Sequence, residues 1–382
     1  MHTKKLKKMI KIIVAGDFCP KERVEKHINN QQYSNVFGKI KPLIESADYS
    51  LVNLECPVVL NKAKPIPKIG PHLKTDLNAV KSIRYAGFNM VTLANNHFYD
   101  YGDKGVSDTL MSCKEYGLDT VGGGKNLNSA SKVFYKDING TKFAIINFCE
   151  YEFSIATENS GGSNPLDPIK NYYQIHEAKK KSDYIICIVH GGHEHYELPS
   201  LRMKETYRFF IESGADVVIN HHQHCFSGYE IHNDKPIFYG LGNFCFDNKK
   251  YSDSSWNNGF MVELNFKNSK ISFKLHPYNQ CDKSPEVLRL KGELLKKFKS
   301  KLLVLNKIIY DNNTLDHHHK IFLSKNNTYT KLGFEPYEGK LMSSLYYRGF
   351  LPSFLKKNKL KILANIQCQS HRERIIHILK NM

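Results

Sequence analysis

The chain has 382 residues and a net charge of +18, long enough for one large domain or two of ordinary size. Hydrophobic content of 41% with 12% aromatics excludes a disordered or low-complexity chain, while the charge admits nucleic acid, an anionic membrane or anionic small substrates without choosing among them. The nine cysteines are scattered singly from Cys19 to Cys368 with no Cys-x-x-Cys pair, which fits a reducing compartment better than a disulfide framework.

In chain order, the basic opening MHTKKLKK leads into an apolar run, Met9 to Gly16, which contains Lys11 and ends at Asp17. That run is too short to cross a membrane and reads as a buried first strand, Ile10–Ala15. No other stretch approaches a transmembrane helix, so a soluble, cytoplasmic protein is expected. A helix over Val36–Ser46 precedes a strand at Tyr49–Val52, which runs into Asn53-Leu54-Glu55. A helix at Leu77–Ala86 leads to the strand Met90–Leu93 and then to Ala94-Asn95-Asn96-His97, with Asp100 and Gly102 close behind. The helix Lys104–Tyr116 follows. Gly122-Gly123-Gly124 lacks the Lys-Ser/Thr of a nucleotide-binding loop and reads as a flexible turn. Asn139-Gly140, between the apolar runs Val133–Ile138 and Phe143–Phe148, is a hairpin signal. A helix at Ile169–Lys181 precedes the strand Tyr184–Val189, which ends in His190-Gly191-Gly192-His193-Glu194-His195. The helix Leu201–Ser213 precedes Val217–Ile219, which runs into Asn220-His221-His222-Gln223-His224. Strands at Ile237–Tyr239, Met261–Asn265 and Ile271–Leu275 complete an expected domain over residues 1–283. Alternation first and strands later predict an α/β sandwich with mixed sheets.

From Ser284 the character changes. Residues 284–382 hold nineteen Lys and Arg against seven Asp and Glu, and Glu286–Leu305 and Lys359–Leu379 read as amphipathic basic helices. A basic, mainly helical C-terminal extension is expected, its charges mostly solvated faces, with peripheral membrane contact as an alternative. His317-His318-His319 reads as a solvated loop, since three adjacent imidazoles do not converge on one ion.

The polar residues sit where α/β sheets place their ligands, at the C-terminal ends of strands. Five successive strand ends deliver acidic, amide or imidazole groups. Taken singly each has an ordinary reading: Asp17 as a helix N-cap, Asn53 and Asn96 as turn residues, His97 as a surface or satisfied core histidine. Together they suit a pair of divalent metal ions, which need several ligands each and a bridging carboxylate. Such a site is rigid and partly open, with room for a bridging hydroxide and an anionic substrate.

The ordered set resembles the CapA family of capsule-synthesis proteins, a branch of the calcineurin-like metallophosphoesterases. The matching elements are Gly16-Asp17, Asn53–Glu55, Leu93–His97 with Asp100–Gly102, His190–Glu194, Gly214–Asp216 with His222–His224, and Gly242–Phe244. They cover roughly residues 10 to 280. The resemblance implies a four-layer α/β/β/α metallophosphoesterase-like sandwich and two metal ions, with Mn, Fe and Zn the expected elements. It implies Asp17, Glu55 and His224 around one ion, and Glu55, Asn96, His190 and His222 around the other, with Glu55 as the bridge. His97 is implied as general acid. Glu194 either orients His190 or faces the substrate, and Asn53 shapes its turn or contacts substrate. The sequence departs from the superfamily at Cys19, where a ligand histidine is usual, and at Gln223, where the family often has Pro. Cys19 is read as packing in preference to a soft ligand.

The function implied is a hydrolase, a phosphoesterase above all, acting on an anionic small molecule or polymer in capsule or poly-γ-glutamate metabolism. The alternative is a non-catalytic accessory protein that binds poly-γ-glutamate or polysaccharide. No dedicated nucleic-acid-reading element is present in the sequence.

Overall fold

The computed structural model describes residues 9–325 and 333–380; the basic residues ahead of Met9 lie outside them. The chain divides into two compact units, the first ending at Asp316 and the second beginning at His317. In the first, β1 (Ile10–Phe18) is followed by α1 (Glu22–Asn29), α2 (Ser34–Phe37), α3 (Lys41–Glu45), β2 (Tyr49–Leu54), α4 (Leu77–Ala86) and β3 (Met90–Thr92). Next come α5 (Gly102–Glu115), β4 (Asp119–Val121), β5 (Gly123–Gly124), α6 (Leu127–Ala130), β6 (Phe134–Ile138), β7 (Thr141–Cys149) and β8 (Gly162–Ser163). Then follow α7 (Pro168–Lys179), β9 (Tyr184–His190), α8 (Leu201–Ser213), β10 (Val217–His221), β11 (Tyr229–His232), β12 (Lys235–Phe238) and β13 (Asn243–Cys245). The unit is completed by β14 (Asn258–Lys267), β15 (Lys270–Gln280), β16 (Val287–Arg289), α9 (Gly292–Tyr310) and the start of α10 (Asn312–Lys325).

All strands but β5 and β8, which pair with each other, form two mixed sheets. One runs β16-β15-β14-β1-β2-β3-β4, with β13 also paired to β1; the other runs β11-β12-β10-β9-β7-β6. Within them β1 to β4 are mutually parallel, as are β7, β9, β10 and β12. Period-two alternation then assigns the faces. Ile12 and Val14 of β1 pack in one apolar cluster with Leu51, Met90, Ile145 and Ile186, so the two sheets meet face to face. Ile13 and Ala15 point the other way, into Val24, Phe37, Ile44, Val80, Ile83 and Val106 of α1 to α5. Ile175 of α7 and Phe210 and Ile211 of α8 close the far side of the second sheet. The result is the helix–sheet–sheet–helix sandwich that the resemblance implies.

Most predicted elements lie where the periodicity puts them. Asn139 and Gly140, with φ of 52° and 77°, make the two-residue turn between Ile138 and Thr141, as left-handed turns in hairpins require. The helix expected over Val36–Ser46 is instead two short ones, because Pro42 at the start of α3 has no N–H to continue the first. The segment from Glu286 does not begin as a helix: Val287–Arg289 pairs antiparallel with Tyr278–Gln280, and the helix starts at Gly292. That helix, α9, lies beyond residue 283 yet buries Phe298, Leu302, Leu305 and Ile309 against the first unit's core. His317–His319 lie in α10, not in a loop. Gly122 is no flexible turn: a Cβ there would lie 2.2 Å from Oδ1 of Asn147, so only glycine permits the approach.

In the second unit, helices span Gly339–Tyr347, Phe354–Gln367 and Gln369–Lys380, and none contains a buried residue. Glu335 caps the second of them, accepting from the backbone N–H of Phe354 at 2.8 Å and from the Ser353 hydroxyl at 2.6 Å. Among the described residues no helix is long and apolar enough to cross a membrane.

Glu230 of β11 ties the second sheet to α8. It accepts from Nε and Nη2 of Arg208 at 2.9 and 2.6 Å and from the Tyr239 hydroxyl at 2.6 Å. Burial pushes its carboxyl up, but Arg208 and Tyr239 outweigh that and hold it below its ordinary 4.5. A depressed native value means the stabilisation is present above about pH 4.5 and is lost as the pH falls below it. Glu230→Gln is expected to cost about 1–3 kcal/mol at pH 7 in urea unfolding and to flatten the fall in stability between pH 5 and 3.5. Equal stability of variant and wild type at pH 7 would refute the tie.

Candidate metal centre

The sandwich brings the C-terminal ends of β1, β2 and β3 opposite those of β9 and β10, and the polar residues of all five meet there. Asp17, the penultimate residue of β1, is fully buried. Its position depends on glycine: a Cβ on Gly16 would lie 1.8 Å from the carbonyl oxygen of Gly242, and that approach lets β13 pair with β1 at Asp17 and Asn243. Asn53, the residue beside it on β2, donates to Oδ1 of Asp17 at 2.7 Å. Asn53 is therefore a strand residue that orients Asp17, neither shaping a turn nor facing the cavity.

Glu55 follows β2 and is also fully buried, with no hydrogen-bond partner on either carboxylate oxygen. Its nearest neighbours are imidazoles: Oε1 lies 3.7 Å from Nε2 of His190 and 3.5 Å from Nε2 of His224. The amide oxygen of Asn96 lies 3.1 Å from His190 Nε2, and that same nitrogen lies 3.1 Å from Nδ1 of His222. Two groups able to hold a metal ion result, Glu55 with His190 and His222, and Asp17 with Glu55 and His224. Within each, one ligand atom per residue lies within 4.8 Å of the others, all are buried, and Glu55 is common to both.

The backbone is arranged for this. His222 and His224 have φ of 89° and 56°, left-handed values that cost a non-glycine residue energy and are kept where a site requires them. Gln223 between them turns away, donating to the carbonyls of Tyr196 and Leu198 at 2.9 and 3.2 Å, so the departure from Pro is accommodated. Nδ1 of His224 lies 2.9 Å from Oδ1 of Asn243, which leaves Nε2 directed at Glu55.

Charge is distributed unevenly. Burial, and then the charge of Asp17, pushes the Glu55 carboxyl well above the usual range. Burial works the same way on Asp17, but His221, with His190 and His224 behind it, holds that carboxyl well below the range. Burial and then His222 push His190 far down, and burial lowers His224 to about 4. Both shifts favour the neutral imidazole, the form that can ligate a cation, at His190 and His224.

His97 stands at the edge of the ligand set. Its Nδ1 lies 2.7 Å from Oδ2 of Asp100, and Lys68 contacts both His97 and Asp100. His97, Glu194 and His224 line a cavity of about 310 Å³ that opens beside the ligands. Glu194 is exposed on that wall, and the backbone N–H of Gly192, beside His190, is held by Glu150 at 3.1 Å. Of the two roles open to Glu194, facing the cavity is the one its position supports. Cys19 lies in the apolar cluster with Val24, Phe37 and Cys56; burial, then Cys56, pushes its thiol up, and it stands in neither ligand group.

Four site residues escape sequence reasoning. His221 is buried with Nδ1 3.4 Å from Oδ1 of Asp17, and Glu152 lies 3.2 Å from the amide nitrogen of Asn96 and 3.8 Å from Nε2 of His222. Asn243 sits in the Gly242–Phe244 motif, which carries a signal but no role, and Lys68 lies in an irregular stretch with none.

A family model described as the bacterial capsule synthesis protein PGA_cap matches residues 11–248. The chain is 34% identical over 242 residues to the capsule biosynthesis protein CapA of Bacillus anthracis, covering 61% of this chain and 59% of that protein. It is 34% identical over 236 residues to the PGA biosynthesis protein CapA of Bacillus subtilis, covering 61% and 62%. A probable polyglutamine synthesis accessory protein of Mycobacterium tuberculosis is 25% identical over 255 residues, covering 60% and 63%. The chain thus spans about three fifths of the length of these relatives. With every ligand-type residue of the centre except Glu152 inside or beside the quoted motifs, and a family model that spans most of the sandwich, the chain belongs to the PGA_cap family of bacterial capsule synthesis proteins.

Proposed function

We propose that the protein is a metal-dependent hydrolase of the phosphoesterase type, working in capsule or anionic-polymer metabolism and holding two divalent cations, with Mn, Fe and Zn the suitable elements. The observation that carries this reading is Glu55: a fully buried carboxylate with both oxygens unpartnered, shared between two ligand groups. An isolated buried carboxylate costs several kcal/mol, and the neighbouring donors are lone-pair nitrogens and a second carboxylate. Cations are the partners such a set lacks. Asp17, Glu55 and His224 would hold one, and Glu55, Asn96, His190 and His222 the other.

When bound, such a pair supplies Lewis-acid polarisation of a phosphoryl group and lowers the pKa of a water. The remaining work falls to the chain. With Nδ1 held by Asp100, Nε2 of His97 is the atom that carries a proton to the departing oxygen. Glu194 accepts hydrogen bonds from the substrate at the cavity wall, and Asn53 keeps Asp17 in place. The ligands, none more than 6% exposed, exclude bulk water and so strengthen every charge interaction among them.

A second reading is a non-catalytic accessory role in which the basic helices bind poly-γ-glutamate or polysaccharide. It is favoured by the name of the mycobacterial relative and by the excess of Lys and Arg after residue 284. It predicts polymer binding that weakens with salt and survives His190→Ala.

Purified protein with Mn²⁺ is expected to hydrolyse generic phosphomonoesters or diesters, and Asp17→Ala and His222→Ala to lower kcat/KM by at least about a hundredfold. A silent panel with no bound metal overturns the enzyme reading. Stability supplies a separate check. Glu55→Gln replaces a buried carboxyl that has no hydrogen-bond partner and whose ionisation burial opposes, so without metal it is expected to match or exceed the wild type in thermal midpoint. With Mn²⁺ at about a hundred times its Kd the wild type gains about 2.7 kcal/mol per ion, and Glu55→Gln gains far less. A midpoint that Mn²⁺ moves equally in both proteins would exclude Glu55 as a ligand.

A further inference from the structure

The wall of the 310 Å³ cavity that faces the ligands is built of rings: Phe246, Tyr251 and Trp256, with His195 beside them. Tyr251 and Trp256 stack with centroids 4.9 Å apart and planes at 25°. Phe246 meets the indole edge-on at 5.0 Å, and His224, a ligand-set residue, lies 4.7 Å from it. The wall is held in place. Nε1 of Trp256 donates to the Phe246 carbonyl at 2.7 Å, which engages its one polar atom, and Ser254 and Asn257 form a capping box around the turn that carries it.

Charge on this wall is scarce or already used. Asp247 is buried and bound by Arg23 through Nε and Nη2 at 2.9 and 2.7 Å. At the rim, Lys21 and the exposed Lys250, whose Nζ lies 5.5 Å from the Tyr251 ring centre, stand with the exposed carboxylates Glu22 and Glu194. A polyanion threading this cavity would meet carboxylates as well as ammonium groups and so gain no net charge attraction, whereas a flat neutral group would meet aromatic faces and edges. At about 30 Å³ per water the cavity has room for roughly ten waters, enough for a phosphoryl group carrying one ring.

We infer that this ring wall is a leaving-group subsite that selects phosphoesters of a neutral, ring-bearing alcohol, in preference to the anionic polymer itself. The inference rests on the phosphoesterase reading of the adjoining centre. In a hydrolysis the P–O bond to that alcohol breaks, water supplies the new oxygen, and His97 returns a proton to the departing alkoxide while the ring stays against Tyr251 and Trp256.

Trp256 is the single tryptophan of the chain, so its emission reports on this wall alone. The test titrates the full-length, Zn²⁺-loaded protein with phenylphosphonate and with methylphosphonate, following Trp256 emission, with phosphoester hydrolysis measured in parallel. The ring-bearing probe is expected to bind at least about tenfold tighter, a preference that Tyr251→Phe keeps and Tyr251→Ala reduces to about twofold or less. Equal affinities with hydrolysis intact would remove the subsite and leave the phosphoesterase reading standing. No saturable response to either probe, with no hydrolysis, would remove both. A thermal midpoint within a few degrees of wild type confirms that Tyr251→Ala is folded, since Tyr251 is only partly buried.

Discussion

The architecture turns on a buried carboxyl group for which the chain supplies no hydrogen-bond partner. Glu55 sits at the centre of the sandwich's ligand end with neither oxygen hydrogen-bonded, surrounded by imidazoles and one further carboxylate. Burying a charged group without a partner is among the most expensive things a fold can do, and a chain selected for stability alone would place a leucine or a glutamine there. Its place beside His190, His222 and His224 makes it common to two groups of metal-ligating type. The residues around it are organised to keep the set open: Asn53 engages Asp17, Asn243 engages His224 and Asp100 engages His97. Each uses one face of its partner and leaves the other directed inward.

That inward direction is enforced by backbone packing more than by the side chains. Gly16 and Gly242 are close enough that neither strand could be drawn apart or padded without moving Asp17. Asn147, wedged against Gly122, accepts at Oδ1 from the backbone N–H of Ala94 at 2.7 Å, so a residue in the second sheet fixes the loop that carries Asn96 and His97 in the first. The centre is thus shared between the two sheets, and the close-packed core between them sets its dimensions.

Much of this is legible in the sequence because parallel strands buried on both faces read as apolar runs, and a polar residue just after such a run is conspicuous. Asp17, Glu55, Asn96, His190, His222 and His224 all announce themselves in this way. What escapes is what depends on pairing between distant segments. β13 is three residues long and owes its existence to β1; Val287–Arg289 takes its conformation from the free edge of β15 against its own helical neighbourhood. His221 hides between two stronger signals. The ring wall is spread over Phe246 to Trp256 in short irregular turns with no period at all, and its meaning appears only when those turns are seen to face the ligands. The clustered His317–His319 shows the converse: a vivid pattern in the sequence that the fold places on an ordinary helix.

The depth of the ligands has a bearing on time as well as affinity. Asp17 and Glu55 are wholly enclosed and the histidines nearly so, and the cavity beside His97 reaches this set at His224. An ion seated there cannot be replaced from several sides at once, as at a surface site. It would leave past His224 or wait for a local opening of the packed strands. Residence would then be governed by the motion of the protein more than by the strength of a chelator, and a molecule occupying the cavity would lengthen it further.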